Sequence, residues 1–208
     1  MNRNECLKIM YLSPVAVDDH DELFGEVFKD TKEPGTEVHV TSLNDNRGQF
    51  SHVEFRSFEA MATPGIISAT ICAEKEGFDA LVIGCFYDTA LHDAREVSGN
   101  MAVVAPCHSS IEIALGLANN FGIVVGRRKV VDQMKNNVSS LGYGEKLVGF
   151  YDINFGVNDF QKEAPINLRW AIQKHYHDLT SSGVDFKFGR KLLIDPQAFW
   201  KWLRSSPS

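Results

Sequence analysis

Leu81-Val82-Ile83, followed at once by Gly84-Cys85, restricts the fold of this chain more than any other stretch. Three apolar residues, two of them β-branched, come straight after the turn signal Gly77-Phe78-Asp79, which predicts a short strand buried on both faces. Such strands belong to parallel sheets covered by helices. The neighbouring sequence agrees. Apolar runs at 7–12, 37–43, 102–105, 122–125 and 146–151 alternate with helix-like stretches at 18–29, 66–76, from 88 onward, 109–119 and 130–141. This alternation predicts an α/β fold, a largely parallel sheet with helices on both faces.

Details of the pattern sharpen the expectation. Leu23, Val27 and Phe28 share a face of the first helix, and Ile67, Ile71 and Cys72 face the sheet from the second. Val38 and Val40 point one way from their strand and His39 the other, toward solvent. Residues 44–62 read as a polar then aromatic loop (Phe50, Phe55, Phe58) that covers a site or packs on the surface. Ser109 or Ser110 caps the helix that follows the 102–105 strand. Past an irregular stretch at 152–165, a helix is expected over 166–181 and continues through Asp185-Phe186. His175 and His177, two apart, point to different faces of it and make no metal pair. A short strand at 191–194 and a last helix from Asp195-Pro196, carrying Phe199, Trp200, Trp202 and Leu203, complete the chain.

Gly84 lets the backbone turn tightly, and Cys85 then lies at the C-terminal end of its strand, the edge where ligands bind in open α/β sheets. Asp88 is placed to cap the next helix. A thiol between a strand end and a helix start feels the positive end of the helix, and free amides there suit a carboxylate. Both effects favour thiolate and make Cys85 the first candidate for chemistry. The alternative is a buried cysteine serving as a small hydrophobe.

A chain of 208 residues makes one domain or two small lobes. Its 44% apolar and 23% charged content is that of a soluble globular protein, and its net charge of −6 argues against a nucleic-acid partner. No apolar stretch reaches the ~18 residues of a membrane span, so no membrane partner is expected. The first residues lack the basic-then-apolar plan of a secretory signal. Cys6, Cys72, Cys85 and Cys107 show neither metal-ligand spacing nor a disulfide framework. A cytoplasmic location with reduced thiols is the simplest expectation. With no glycine-rich nucleotide motif, no cofactor is inferred.

Gly84-Cys85-Phe86-Tyr87-Asp88-Thr89-Ala90-Leu91 and then Ala94-Arg95-Glu96 resemble the aspartate/glutamate/hydantoin racemase superfamily, closest to its hydantoin racemase branch. That branch reads Gly-Cys-Phe-x-Asp-Pro-Gly-Leu followed by Ala-Arg-Glu; here Thr89-Ala90 stands for Pro-Gly. Thr63-Pro64-Gly65-Ile66, Ala73-Glu74-Lys75 and Val103-Val104-Ala105-Pro106 extend the likeness over most of residues 7–126. The resemblance implies two similar α/β lobes with mainly parallel sheets and a site between them. The first lobe would take residues 1–106 with Cys85, joined by 195–208, and the second 107–194. It also implies a cofactor-independent racemase or epimerase in which Cys85 acts as base on a carbon next to a carbonyl. The substrate would be a small carbon acid resembling a hydantoin or an amino acid. Ser13 and the amides of Phe86 and Tyr87 would bind its carboxylate or carbonyl oxygen. Ser13, where relatives carry Asn-Pro, otherwise reads as a turn serine.

The likeness fails in the second lobe. Relatives supply a second cysteine after the helix corresponding to 166–181, and this sequence has none after Cys107. That lobe reads as shortened, so the opposite-face proton must come from elsewhere. His108, replacing an acidic residue of the family, is one source, or else a capping residue. Arg127 or Arg128 stands where relatives hold substrate with a threonine pair; it would anchor a carboxylate by bidentate pairing, or is a solvated basic turn. Three functions follow: an isomerase, a one-cysteine decarboxylase or lyase of the same superfamily, and a non-catalytic small-ligand binder. The apolar last helix leaves a homo-oligomer open.

Overall fold

The computed structural model describes residues 6–16, 20–43, 50–152, 154, 156–157, 185–188 and 191–194. The chain divides into two units, Met1–Val157 and Asn158–Ser208.

In the first unit, strands β1 (Leu7–Ser13), β2 (Thr36–Ser42), β3 (Ala80–Ile83) and β4 (Ala102–Val104) form one sheet in the order β2-β1-β3-β4. Every pairing in it is parallel. The register sets Leu12 beside Ile83 and Ser13 beside Ser42, so the C-terminal ends of the two central strands lie together. Leu12, Leu81 and Ile83 are fully buried, each contributing about 1.5–3 kcal/mol of apolar burial. Helices α1 (His20–Thr31), α2 (Arg56–Lys75) and α3 (Leu91–Val97) make the crossovers. A second, two-stranded parallel sheet pairs β5 (Phe121–Val125) with β6 (Leu147–Asp152), accompanied by α4 (Pro106–Leu115) and α5 (Val131–Ser140). Gly142, at φ +86°, closes α5. Two hydrophobic cores part at Pro106: one runs from Leu12 to Ala105, the other from Cys107 to Val138, and Tyr87 packs against both.

The α2 expectation is corrected. The helix begins at Arg56, ten residues before the predicted start, and Pro64 sits inside it. Its buried positions are Ala62, Ile66, Thr70 and Ala73, a spacing of four, four and three that defines one face. Ile71 and Cys72 are therefore exposed rather than turned to the sheet. Phe55 and Phe58 belong to this helix start and pack with Phe50 and His52, which stabilises a first turn that Pro64 disguises in the sequence.

In the second unit, β7 (Asp185–Phe188) and β8 (Lys191–Ile194) pair antiparallel. The strand at 191–194 matches the expectation, whereas the expected helix through Asp185-Phe186 is replaced by a strand with two residues between it and its partner. The helices expected over 166–181 and from 195, with His175, His177, Trp200 and Trp202, lie outside the described residues.

Candidate active site

The site is built at the C-terminal edge of the first sheet. Gly84 continues β3, its amide donating to Leu12 O at 2.8 Å, and a short loop through Tyr87 returns toward α3. Gly84 is there because of Tyr11: a Cβ on it would lie 2.4 Å from the Tyr11 hydroxyl oxygen. The tight turn is there too, since the Cys85 amide donates to Ile83 O at 2.9 Å across Gly84, and the close approach of a buried ring is a second reason for glycine.

Cys85 is half-buried. Thr89 Oγ1 lies 3.6 Å from its sulfur, and the Tyr87 amide also hydrogen-bonds it. Burial pushes the Cys85 thiol up to about 11, and the charges of Glu59 and Asp88 act the same way, against the hydrogen bonds from Thr89 and Tyr87. The expectation of a thiolate favoured by a helix start is thereby corrected: the resting group is a thiol. The helix concerned, α3, starts only at Leu91, and Ala90 precedes it in the left-handed region at φ +56°.

Asp88 does not cap that helix. Its carboxylate accepts from the amides of Cys107, at 2.8 Å, and His108, at 2.7 Å, and so caps α4 from 20 residues upstream. Ser109 and Ser110 lie inside α4, not at its cap. Burial raises the Asp88 carboxyl, countered by the two amides, His108 and Arg95. The joint ties the Cys85 loop to the second core, and Asn137 adds a second tie by donating to Tyr87 O at 2.8 Å.

The other sequence-derived residues divide. Ser13 is buried at the same sheet edge, but its hydroxyl donates to Val15 O at 2.8 Å. Phe86 is 43% exposed, and its amide has no acceptor among the described residues. His108 is turned to other partners. Arg95 Nη2 approaches its Nδ1 at 3.1 Å while Arg95 Nε donates to Val103 O. Because a guanidinium only donates, Nδ1 accepts and the ring proton sits on Nε2, facing Glu112 at 3.6 Å. Arg127 Nε lies 3.9 Å from the buried Glu54, and its guanidinium packs against Gly156.

Two carboxylates at this site went unnoticed in the sequence. Glu54 is 5% exposed and faces Arg127, and its charge helps raise the Tyr87 phenol after burial. Glu59, on the first turn of α2, accepts from Gln133 Nε2 and is hydrogen-bonded to Thr89. Both fall in the 44–62 stretch read as loop, where acidic residues resemble a solvated surface. The helix phase of α2 was the signal that would have turned Glu59 inward. Cys107, fully buried, is pushed up to about 12 by burial, then by Asp88 and Cys85.

The fold and the site together define a mainly parallel α/β protein with a thiol at the C-terminal end of a central strand. The model of the Asp/Glu/Hydantoin racemase family matches residues 27–185, and the chain belongs to that family. A hydantoin racemase from Pseudomonas sp. (strain NS671) is 30% identical over 139 residues, covering 67% of this chain and 55% of that protein. A hydantoin racemase from Rhizobium meliloti is 32% identical over 105 residues, 50% of this chain and 43% of that protein. The chain spans about half the length of these curated relatives. Among solved structures, allantoin racemase from Klebsiella pneumoniae superposes with a TM-score of 0.67 at 20% identity, covering 85% of this chain and 69% of that one. Allantoin racemase from Pseudomonas fluorescens gives 0.66 at 14% identity, with 84% and 72% covered. These two likenesses show the fold.

Proposed function

We propose that this chain is a racemase-type isomerase that moves a proton at a carbon next to a carbonyl, with a 5-substituted hydantoin as the substrate class. The observation that carries this is Cys85 at the end of β3, its sulfur held by the Thr89 hydroxyl and the Tyr87 amide. Cys85 serves as the base that takes the proton from one face, and water returns a proton to the other. The Phe86 amide, with no acceptor among the described residues, is placed to bind the substrate oxygen on which charge develops as the proton leaves. Ser13 and His108 support from behind: Ser13 shapes the β1 exit, and His108 fixes Arg95 against β4. Arg127, paired with Glu54, orients that carboxylate beside Tyr87. The relatives named above act as hydantoin and allantoin racemases, and allantoin is itself a hydantoin carrying a substituent at carbon 5.

Proton exchange followed by NMR in deuterated water, with enantiopure 5-substituted hydantoins, allantoin and amino acids, tests the reading, optical rotation being recorded in parallel. Deuterium uptake with loss of rotation, abolished in Cys85→Ala, is the expected result. Uptake with retained configuration would mean one-sided protonation, as in a decarboxylase or lyase. Unchanged exchange in Cys85→Ala would remove the cysteine from the chemistry.

A further inference from the structure

Tyr11 carries a buried hydroxyl for which the chemistry above has no use. The residue is 8% exposed and pairs with Val82 across β1 and β3. Its ring leans along the strands past the level of Ile83, so that the phenol oxygen lies 2.4 Å from where a β-carbon on Gly84 would sit. The hydroxyl therefore stands at the C-terminal edge of the sheet, one residue from Cys85, in room left by the missing side chain of Gly84. The other buried hydroxyls at this edge have acceptors. Ser13 donates to Val15 O, Ser42 to Asp21 Oδ1 and Thr89 to the Cys85 sulfur. The Tyr11 hydroxyl has none among the described residues, where its ring meets Phe24 and Phe28 of α1.

A buried hydroxyl without a partner weakens a fold, because water is lost and nothing replaces it. Phenylalanine would pack against Phe24 and Phe28 equally well and would bury no polar atom. Packing thus accounts for the ring and leaves the oxygen unexplained; a bound molecule that accepts its proton accounts for it. We propose that Tyr11 is a substrate-binding residue whose hydroxyl donates to the carbonyl oxygen next to the carbon that loses its proton. The inference rests on the racemase reading, with Cys85 as base, and adds a second donor to the Phe86 amide. Burial, and then the charges of Cys85 and Asp21, push the phenol up to about 12. It therefore keeps its proton when the neighbouring thiol ionises, and it acts as a donor rather than as a second base. Charge gathers on the carbonyl oxygen as the substrate proton leaves. A fixed neutral donor stabilises that charge more than it stabilises the resting carbonyl. No bond to Tyr11 forms or breaks in the step.

Tyr11→Phe, made in the full chain, removes the oxygen alone, and three measurements test the assignment. In urea the variant should unfold at the wild-type concentration or a higher one, since no hydrogen bond is lost. A lower midpoint would show that the hydroxyl is already paired in the resting protein and would overturn the assignment. Alkylation of Cys85 by iodoacetamide, read by peptide mass mapping, should keep its wild-type rate. A slower rate would place the hydroxyl on the sulfur instead of on substrate, and would overturn it too. Deuterium exchange at carbon 5 of an enantiopure 5-substituted hydantoin, followed by NMR, should fall about 100-fold in kcat with little change in KM, as for a donor that acts on developing charge. Exchange at the wild-type rate would overturn the inference and leave the racemase reading intact. Absence of Cys85-dependent exchange from the wild type would instead overturn the racemase reading itself.

Discussion

The hydroxyl end of the Tyr11 ring lies against Gly84, so close that a β-carbon on the glycine would meet the phenol oxygen at 2.4 Å. The ring has nowhere to go. Phe24 and Phe28 of α1 hold it with centroids at 4.8 and 5.0 Å, and burial, with the charges of Cys85 and Asp21, pushes its hydroxyl up to about 12. Gly84→Ala is therefore an overpacking change one residue from the proposed base. It is expected to destabilise the fold by about 1–3 kcal/mol. Adding Tyr11→Ala should remove the clash, so that the double variant loses less than the sum of the singles. Urea unfolding of the four proteins checks this; strict additivity would refute the contact.

Ala90 occupies the left-handed region, at φ +56° and ψ +21°, where an L-residue is strained by about 1–2 kcal/mol and glycine is not. The resembling family has glycine at this position. Ala90→Gly is expected to stabilise the chain by about 0.5–1 kcal/mol after the extra freedom of glycine in the unfolded state is set against the relief. A higher urea midpoint with unchanged slope is the expected observation. A lower midpoint would mean that the turn is not held as described.

Much of the two parallel sheets was legible because each strand is a short apolar run set off by turn residues, and Leu81-Val82-Ile83 and Phe121–Val125 carry that signal plainly. The start of α2 was hidden by Pro64 and by a first turn rich in aromatic residues. At the site, Cys85 could be found from its place after a strand. Its partners could not, because they come from afar: Glu59 is on another helix and Gln133 on a third. Asp88 looked like a local cap by spacing. Its left-handed φ of +51° turns the carboxylate away from α3 and toward α4, a choice no period in the sequence records.

Asp88 joins the Cys85 loop to α4 through two amides, and both would be left without this partner if its side chain were removed. Asp88→Gly suits the left-handed backbone, so it deletes the cap without adding strain. A loss of about 2 kcal/mol is expected, since buried helix amides without acceptors cost about 1–3 kcal/mol each and some strain is relieved. Hydrogen exchange adds a local readout: the Cys107 and His108 amides should lose protection ahead of the β3 amides. Retained protection at both would show that another group caps α4.

Glu59 and Glu74 should move stability in opposite directions with pH. Burial raises the Glu59 carboxyl above its ordinary 4.5, against Arg56 and Thr89. The folded chain thus binds that proton more tightly than the unfolded chain. The stability contributed by Glu59 is complete below 4.5 and is lost as pH rises through the folded value. Glu74 is held below 4.5, first by the Gly99 amide and then by Asn100, at 2.8 and 2.7 Å. Its contribution is complete above 4.5 and is lost as pH falls through the folded value. At neutral pH, Glu59→Gln should therefore unfold at a higher urea concentration than wild type and Glu74→Gln at a lower one. Both differences should shrink as the medium is acidified through the carboxylate range. Because Glu74 lies in an exposed loop contact, its effect is the smaller and the more easily screened by salt. Shifts of the same sign in the two variants, or a Glu59→Gln advantage that grows in acid, would contradict the burial that raises the Glu59 carboxyl.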